Sequence, residues 1–367
     1  MTNPLLADWN TPFGIAPFDR ISDDDFAPAL EEALTAHRAE IDAIAENPAA
    51  PSFANTIEAL EASGDALDKV LSVFFTVAGA DSNGAREALQ RDFSPKLAAH
   101  QSAISGNAKL FARIAAVWEA RDTLELTEEQ ARVLMLTHRG FVRSGAALTG
   151  AAAERMKEIK ARLAVLGTQF TQNLLADERD WFMPLSEGDL TGLPDFALDA
   201  ARAAGKEKGA DGPVVTLSRS LITPFLQFSD RRDLREKAFR AWEARGANGG
   251  ETDNRDIAAE TLALRKERAE LLGYENFAAY KLETEMAKTP DAVRDLLMSV
   301  WKPAKAQADA DAEVLTALMR EDGVNGALEP WDWRYYAEKR RAAEHDLDEA
   351  ALKPYFQLDR MIDAAFD

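Results

Sequence analysis

Apolar residues along this chain recur three and four positions apart, the spacing of helices, and almost nowhere alternate as strands do. In "SDDDFAPALEEALTAHRAEIDAIAENP", Leu30, Leu34, Ile41 and Ile44 fall on one stripe. Ser22 and the three aspartates after it predict the start of that helix, because a hydroxyl accepts from free backbone N–H groups and acids favour the positive end. Asn47-Pro48 predicts its end. "SFANTIEALEASGDALDKVLSVFF" repeats the scheme, with Asn55 and Glu58 expected as N-cap and N3 partners and Ile57, Leu60, Leu67 and Leu71 inside. Helical segments continue through "AREALQRDFSPKLAAHQSAIS", "TEEQARVLMLTHRGFVRSG" and "GAAAERMKEIKARLAVLGTQFTQNLLADE".

Between about Trp181 and Ser218 the pattern breaks. "WFMPLSEGDLTGLPDFAL" and "GKEKGADGPVVTLSRS" carry the Gly/Pro punctuation of loops, and "PVVTLS" reads as a strand. Helices resume at "DRRDLREKAFRAWEARG", break at "GANGGETDN", and run on through "LTALMRE". No period repeats, which argues against a solenoid. The predicted fold is mainly α, a multi-helix lobe with a small β element around residues 180–218. Its divisions are expected at 1–178, 179–220 and 221–367.

Composition sharpens this in two places. With 46% hydrophobic residues the chain can build a sizeable core, and without a single cysteine it suits a reducing compartment. Sixty-three acids against 43 bases leave a formal charge of −20, which repels phosphate backbones and anionic lipid. Nucleic-acid and membrane partners are therefore not expected. "MTNPLLADWNTPFG" has no basic start or long apolar run, and Val70–Ala78 is too short to span a bilayer, so a cytoplasmic protein is expected.

Candidate chemistry is sparse. A zinc hydrolase needs imidazoles and a carboxylate that converge, most simply H-E-x-x-H on a helix. His37, His100, His138 and His345 show no such spacing and read as structural or surface residues. His37 and Glu40 could share a helix face, but two ligands do not make a catalytic site. "RGANGGETDN" lacks the phosphate-loop order and reads as a helix break capped by Thr252 or Asp253. Asp309, Asp311 and Glu313 alternate around a helix as a solvated face, and no G-x-S-x-G occurs. No catalytic or metal-binding residue is assigned.

"EPWDWRYYAEKRRAAEHDL" stands out, packing Trp331, Trp333, Tyr335 and Tyr336 into six residues among Arg334, Lys339, Arg340 and Arg341. Pro330 and Asp332 predict a helix start, with Asp332 as N-cap. Tyr336 and Arg340 then share one face, and Tyr335 and Lys339 another. Either the rings are buried between helices, or they wall a cleft where tyrosine hydroxyls and arginine meet a peptide.

Four stretches together resemble the thimet-oligopeptidase-like zinc metallopeptidases, on the branch of bacterial peptidyl-dipeptidase and oligopeptidase A. They are "PSFANTIEALEASGDALDKV", "RGANGGETDNRDIAAETLALRKERAELLGYENFAAYKLETEMAKTP", "PWDWRYYAEKRR" and "LDEAALKPYFQLDRMIDAAF", in the family's order. The resemblance implies a helical, two-lobed protein with a narrow channel for short peptides. It also implies zinc held by an H-E-x-x-H helix and a downstream glutamate, the motif's own glutamate serving as general base. Peptidyl-dipeptidases of the family release C-terminal dipeptides. Those catalytic residues lie downstream of the "PYF" segment, and this chain ends just past it at Asp367, so none is carried over.

The expectation is an N-terminal half whose catalytic lobe is absent and which alone is inactive. Trp331, Trp333, Tyr335, Tyr336, Arg340, Tyr355 and Phe356 are its candidate channel wall or lobe contact. Of these, Trp331, Trp333, Tyr355 and Phe356 are expected to form an exposed apolar patch. The alternative is a stand-alone, non-catalytic helical module that binds peptides or a partner.

Overall fold

The computed structural model describes residues 3–345 and 352–367, so the beginning of the "LDEAALKPYF" stretch, Leu347–Ala351, lies outside the described residues. Packing divides the chain into two compact units, Met1–Lys157 and Glu158–Asp367.

The first unit contains helices α1 (Asp23–Ala45), α2 (Ala59–Glu61), α3 (Asp65–Ala80), α4 (Gly84–Ser105), α5 (Ala108–Ala120) and α6 (Glu128–Ser144). Ser22 caps α1 as expected, trading hydrogen bonds with Asp25 in a capping box. The stripe on α1 serves two cores in succession. Leu30 and Leu34 pack with Leu67, Val70 and Phe74 of α3, whereas Ile41 and Ile44 pack with Ile57, Leu110, Ile114 and Leu134. The second capping box is shifted from its expected place. Ser52 is the N-cap and Asn55 the N3 partner, because the chain enters through a π-helical turn, Phe53–Glu58, before α2.

The division into units falls within α7 (Gly150–Asp180). The second unit continues with β1 (Phe182–Pro184), α8 (Asp195–Lys208), β2 (Val214–Thr216), α9 (Arg219–Phe228) and α10 (Arg232–Glu243). It ends with α11 (Arg255–Leu271), α12 (Phe277–Leu282), α13 (Pro290–Glu321, with Pro303 in its interior), α14 (Pro330–His345) and α15 (Leu358–Phe366). The strands pair antiparallel with Met183 opposite Val215, and both side chains enter a core with Ile222, Phe225 and Leu226. The small β element is thus where the sequence places it, but it encloses a 14-residue helix, α8, in the stretch punctuated like a loop. Gly205, one cause of the loop reading, is a packing residue. A Cβ there would lie 2.0 Å from the Gly212 carbonyl oxygen, so only glycine lets α8 approach the turn before β2.

The glycine-rich break before α11 folds around a carboxylate. Asp177 accepts from the Gly246 amide at 2.7 Å and from the Asn248 side chain at 3.0 Å. The N-cap position of α11 is Asn254, one residue past the expected Thr252 or Asp253. Its side chain is drawn away to Asn173 and the Phe170 carbonyl, while Asp253 accepts from the Arg255 amide.

Candidate functional site

The aromatic stretch forms α14 and is anchored from beneath by charge. Asp332 is fully buried and accepts from Arg232 Nη2 at 2.7 Å and from Arg235 Nη2 at 3.1 Å. Arg235, itself 1% exposed, also donates to the carbonyls of Ser229 at 2.6 Å and Trp331 at 3.2 Å. A charge held that deep persists only when its donors and acceptors are met. Asp332 also accepts from the Glu329 amide at 3.2 Å. It therefore sits inside the first turn of the helix, where the expectation had it at the N-cap. The hydrogen bond from Arg232 to Asp332 holds the arginine's pKa above its ordinary value.

Three of the four rings are consumed by this anchor. The Trp331 ring lies beneath Arg240 and against Phe239. Tyr335 stacks under the Arg235 guanidinium, 4.0 Å from its centroid, and its hydroxyl donates to Asp230 Oδ1 at 2.8 Å. Tyr336 meets Tyr335 edge to face at 5.1 Å and packs with Leu315 and Met319 of α13. Burial raises the pKa of both tyrosines. The expected pairing of Tyr335 with Lys339 is present, the ammonium 4.8 Å from the ring. Arg340 instead pairs with Asp311 at 2.8 Å and Glu344 at 2.7 Å.

Trp331, Tyr335 and Tyr336 are accordingly buried between helices, the first of the two readings of this stretch, and Trp331 does not join the expected exposed patch. The Tyr335 hydroxyl is spent on Asp230, and the faces of Tyr335 and Trp331 on Arg235 and Arg240. Trp333 differs. It is 37% exposed and lines a surface cleft of about 620 Å³ with Phe239, Leu328, Glu329, Pro330 and Arg334. Tyr355 and Phe356 are also exposed, as expected.

The first unit holds a pair of groups that sequence spacing did not bring together. His37 of α1 and His100 of α4 meet with Nδ1 and Nε2 3.0 Å apart. Ser63 Oγ donates to the Leu60 carbonyl at 2.7 Å, so at its 3.4 Å contact with His37 Nε2 the ring nitrogen is the donor. His37 Nδ1 is then the acceptor for the His100 Nε2–H. His100 Nδ1 is left as a buried lone pair without a partner. Burial, with His37 and Arg38 nearby, depresses the pKa of His100. Beneath the pair, Gly64 has a φ of 82° and donates its amide to Glu40 Oε2 at 2.7 Å. A Cβ at Gly64 would stand 3.0 Å from the His37 ring. The only sequence signal was His37 and Glu40 on one helix face. Their partners lie 63 and 24 residues along the chain, so local spacing could not show them.

Neither arrangement fits a catalytic zinc. The chain has no H-E-x-x-H, and among the described residues no three His, Asp or Glu side chains converge as a metal site. Among those residues, too, no helix is long and apolar enough to cross a membrane.

Comparison with known proteins supplies the context. Residues 225–366 match peptidase family M3. Along 98% of its length the chain is 36% identical to a dipeptidyl carboxypeptidase of Escherichia coli, covering 53% of that protein. It is 37% identical to the dipeptidyl carboxypeptidase of Salmonella typhimurium, again over 53% of the relative. It is also 31% identical, end to end, to the oligopeptidase A of Escherichia coli, of which it covers 54%. The chain spans about half the length of the curated relatives it matches. The anchored aromatic helix lies inside the region that matches peptidase family M3.

Proposed function

We propose that this chain serves as the non-catalytic half of a zinc-dependent peptidyl-dipeptidase or oligopeptidase acting on short peptides. The observation that carries the reading is the end-to-end similarity to half of each relative, together with the absence, among the described residues, of a convergent ligand set. Zinc, its ligands and the general base are assigned to the half of the relatives that this chain does not span. The chain's own contribution is a rigid wall. Asp332, Arg232 and Arg235 fix α14, and Trp333 faces the open cleft with Arg334 beside it, a ring and a cation suited to an extended peptide or to the adjoining half. Trp333, Arg340, Tyr355 and Phe356 remain the proposed contact residues. The lack of cysteine supports a cytoplasmic setting, and the −20 charge supports peptides over nucleic acid as partners.

The test is release of a C-terminal dipeptide from a blocked tetrapeptide. The chain alone is expected to release none. Activity should appear when it is combined with the unaligned half of the Escherichia coli dipeptidyl carboxypeptidase. Turnover by the chain alone that EDTA abolishes would overturn the reading. The open Trp333 cleft favours one other role, a module that binds peptides without cleaving them. Saturable peptide binding lost in Trp333→Ala, with no hydrolysis in the combined mixture, would select it.

A further inference from the structure

α13 is 32 residues long, yet only its C-terminal end is packed. From Arg294 to Ala310 every residue is exposed, and burial begins again only at Leu315 and Met319. The bare stretch is not polar. Leu296, Leu297, Val300 and Trp301 are 67%, 62%, 59% and 60% exposed. At about 100° per residue these four cover one arc of about 140°, while Asp295, Lys302 and Asp309 occupy the opposite side. Such a helix takes its stability chiefly from what its apolar face packs against.

We propose that this stripe of α13 is the docking surface for the other half of the family M3 peptidase. The inference rests on the proposed function and locates its partner. Two observations select that occupant. The relatives carry about as much chain again beyond the matched portion, and the bare helix lies inside the family-matched residues 225–366. A second copy is the poorer occupant, because each would bring a formal charge of −20 to the contact. α15 presents a second face of the same kind, with Leu358, Ile362 and Phe366 exposed.

The experiment mixes the purified chain with the unaligned half of the Escherichia coli dipeptidyl carboxypeptidase and measures the dissociation constant by sedimentation. Leu297→Glu and Trp301→Glu are each expected to weaken the complex about 30-fold, the size of an interface hot spot. Lys302→Glu, on the opposite side, should change it by less than about threefold. Because all three side chains are exposed, circular dichroism and melting of the chain alone should stay unchanged. Amide exchange across 294–310 should slow on mixing.

No complex at tens of micromolar, or equal weakening by Lys302→Glu, overturns the proposal. So does a dimer of this chain alone that Trp301→Glu dissolves. Tetrapeptide hydrolysis is read in the same mixtures. Hydrolysis that survives both stripe substitutions removes the docking surface and leaves the proposed function standing. Stripe-dependent binding without hydrolysis does the reverse.

Discussion

Helices α13 and α14 lie side by side at Leu315, Met319 and Tyr336, yet they treat their apolar residues in opposite ways. α14 sets Trp331 and Tyr335 against guanidinium groups, one of them tied to a buried carboxylate, and Tyr336 near the Lys339 ammonium, so each ring has a cation at its edge or face. The first two-thirds of α13 holds Leu296, Leu297, Val300 and Trp301 against water, and no side-chain cluster like that around Asp332 lies beneath them. What separates buried from exposed here is the polar scaffold below, not the apolar content of the helix. Trp301 and Trp331 are the same residue type in two settings. One is 60% exposed and the other 6%.

The largest effect should come from removing the scaffold. Asp332→Ala leaves Arg235 buried without its carboxylate, and the chain is expected to lose about 3–5 kcal/mol in urea unfolding. If the loss is under about 1 kcal/mol, charge does not distinguish the helices. Tyr335→Phe deletes the hydroxyl that donates to Asp230 and should cost about 1 kcal/mol, with the ring still packed under Arg235.

Titration gives a directional test. The folded pKa values of Tyr335 and Tyr336 lie above their ordinary value, so their contribution is fully present below about pH 10 and is lost as pH rises past it. Unfolding of the second unit should become easier there, with tyrosinate absorbance rising in step. The first unit should respond in acid. The folded pKa of His100 is depressed, so its contribution holds above about pH 6.5 and fades as pH falls below it. Glu40, Arg38 and His37 surround the same site, and His37→Gln should blunt the acid response if the pair is its source.

The smallest expected effect completes the contrast. Leu297→Ser on α13 should change the stability of the isolated chain by no more than about 0.5 kcal/mol. A loss of several kcal/mol would mean that the stripe is already covered.

Much of this was legible in the sequence, for reasons that differ by residue. Periodicity located α1, and helix-start residues located α1 and α14, because turns and caps are local. The strand "PVVTLS" was legible from its β-branched run between glycine and serine. Asp332 was identified as a helix-start residue, but its buried arginine partners lie about a hundred residues earlier and leave no local mark. The aromatic density of "PWDWRYY" left burial and exposure both open, and three of its four rings are buried, whereas "LLMSVW" carried no signal that set it apart. A 3.6-residue period shows that a face is apolar and says nothing of what lies opposite it. His37 and His100 were beyond reach for the same reason.

Pro303 lies within the bare portion of α13, and it offers no amide to the Ser299 carbonyl. One rung of the ladder is therefore missing along the long rod, and its resistance to bending is least there. Mechanically the rod is two stiff struts on a soft coupling. Bending at that coupling would leave Leu315 and Met319, on the inner strut, seated against Tyr336.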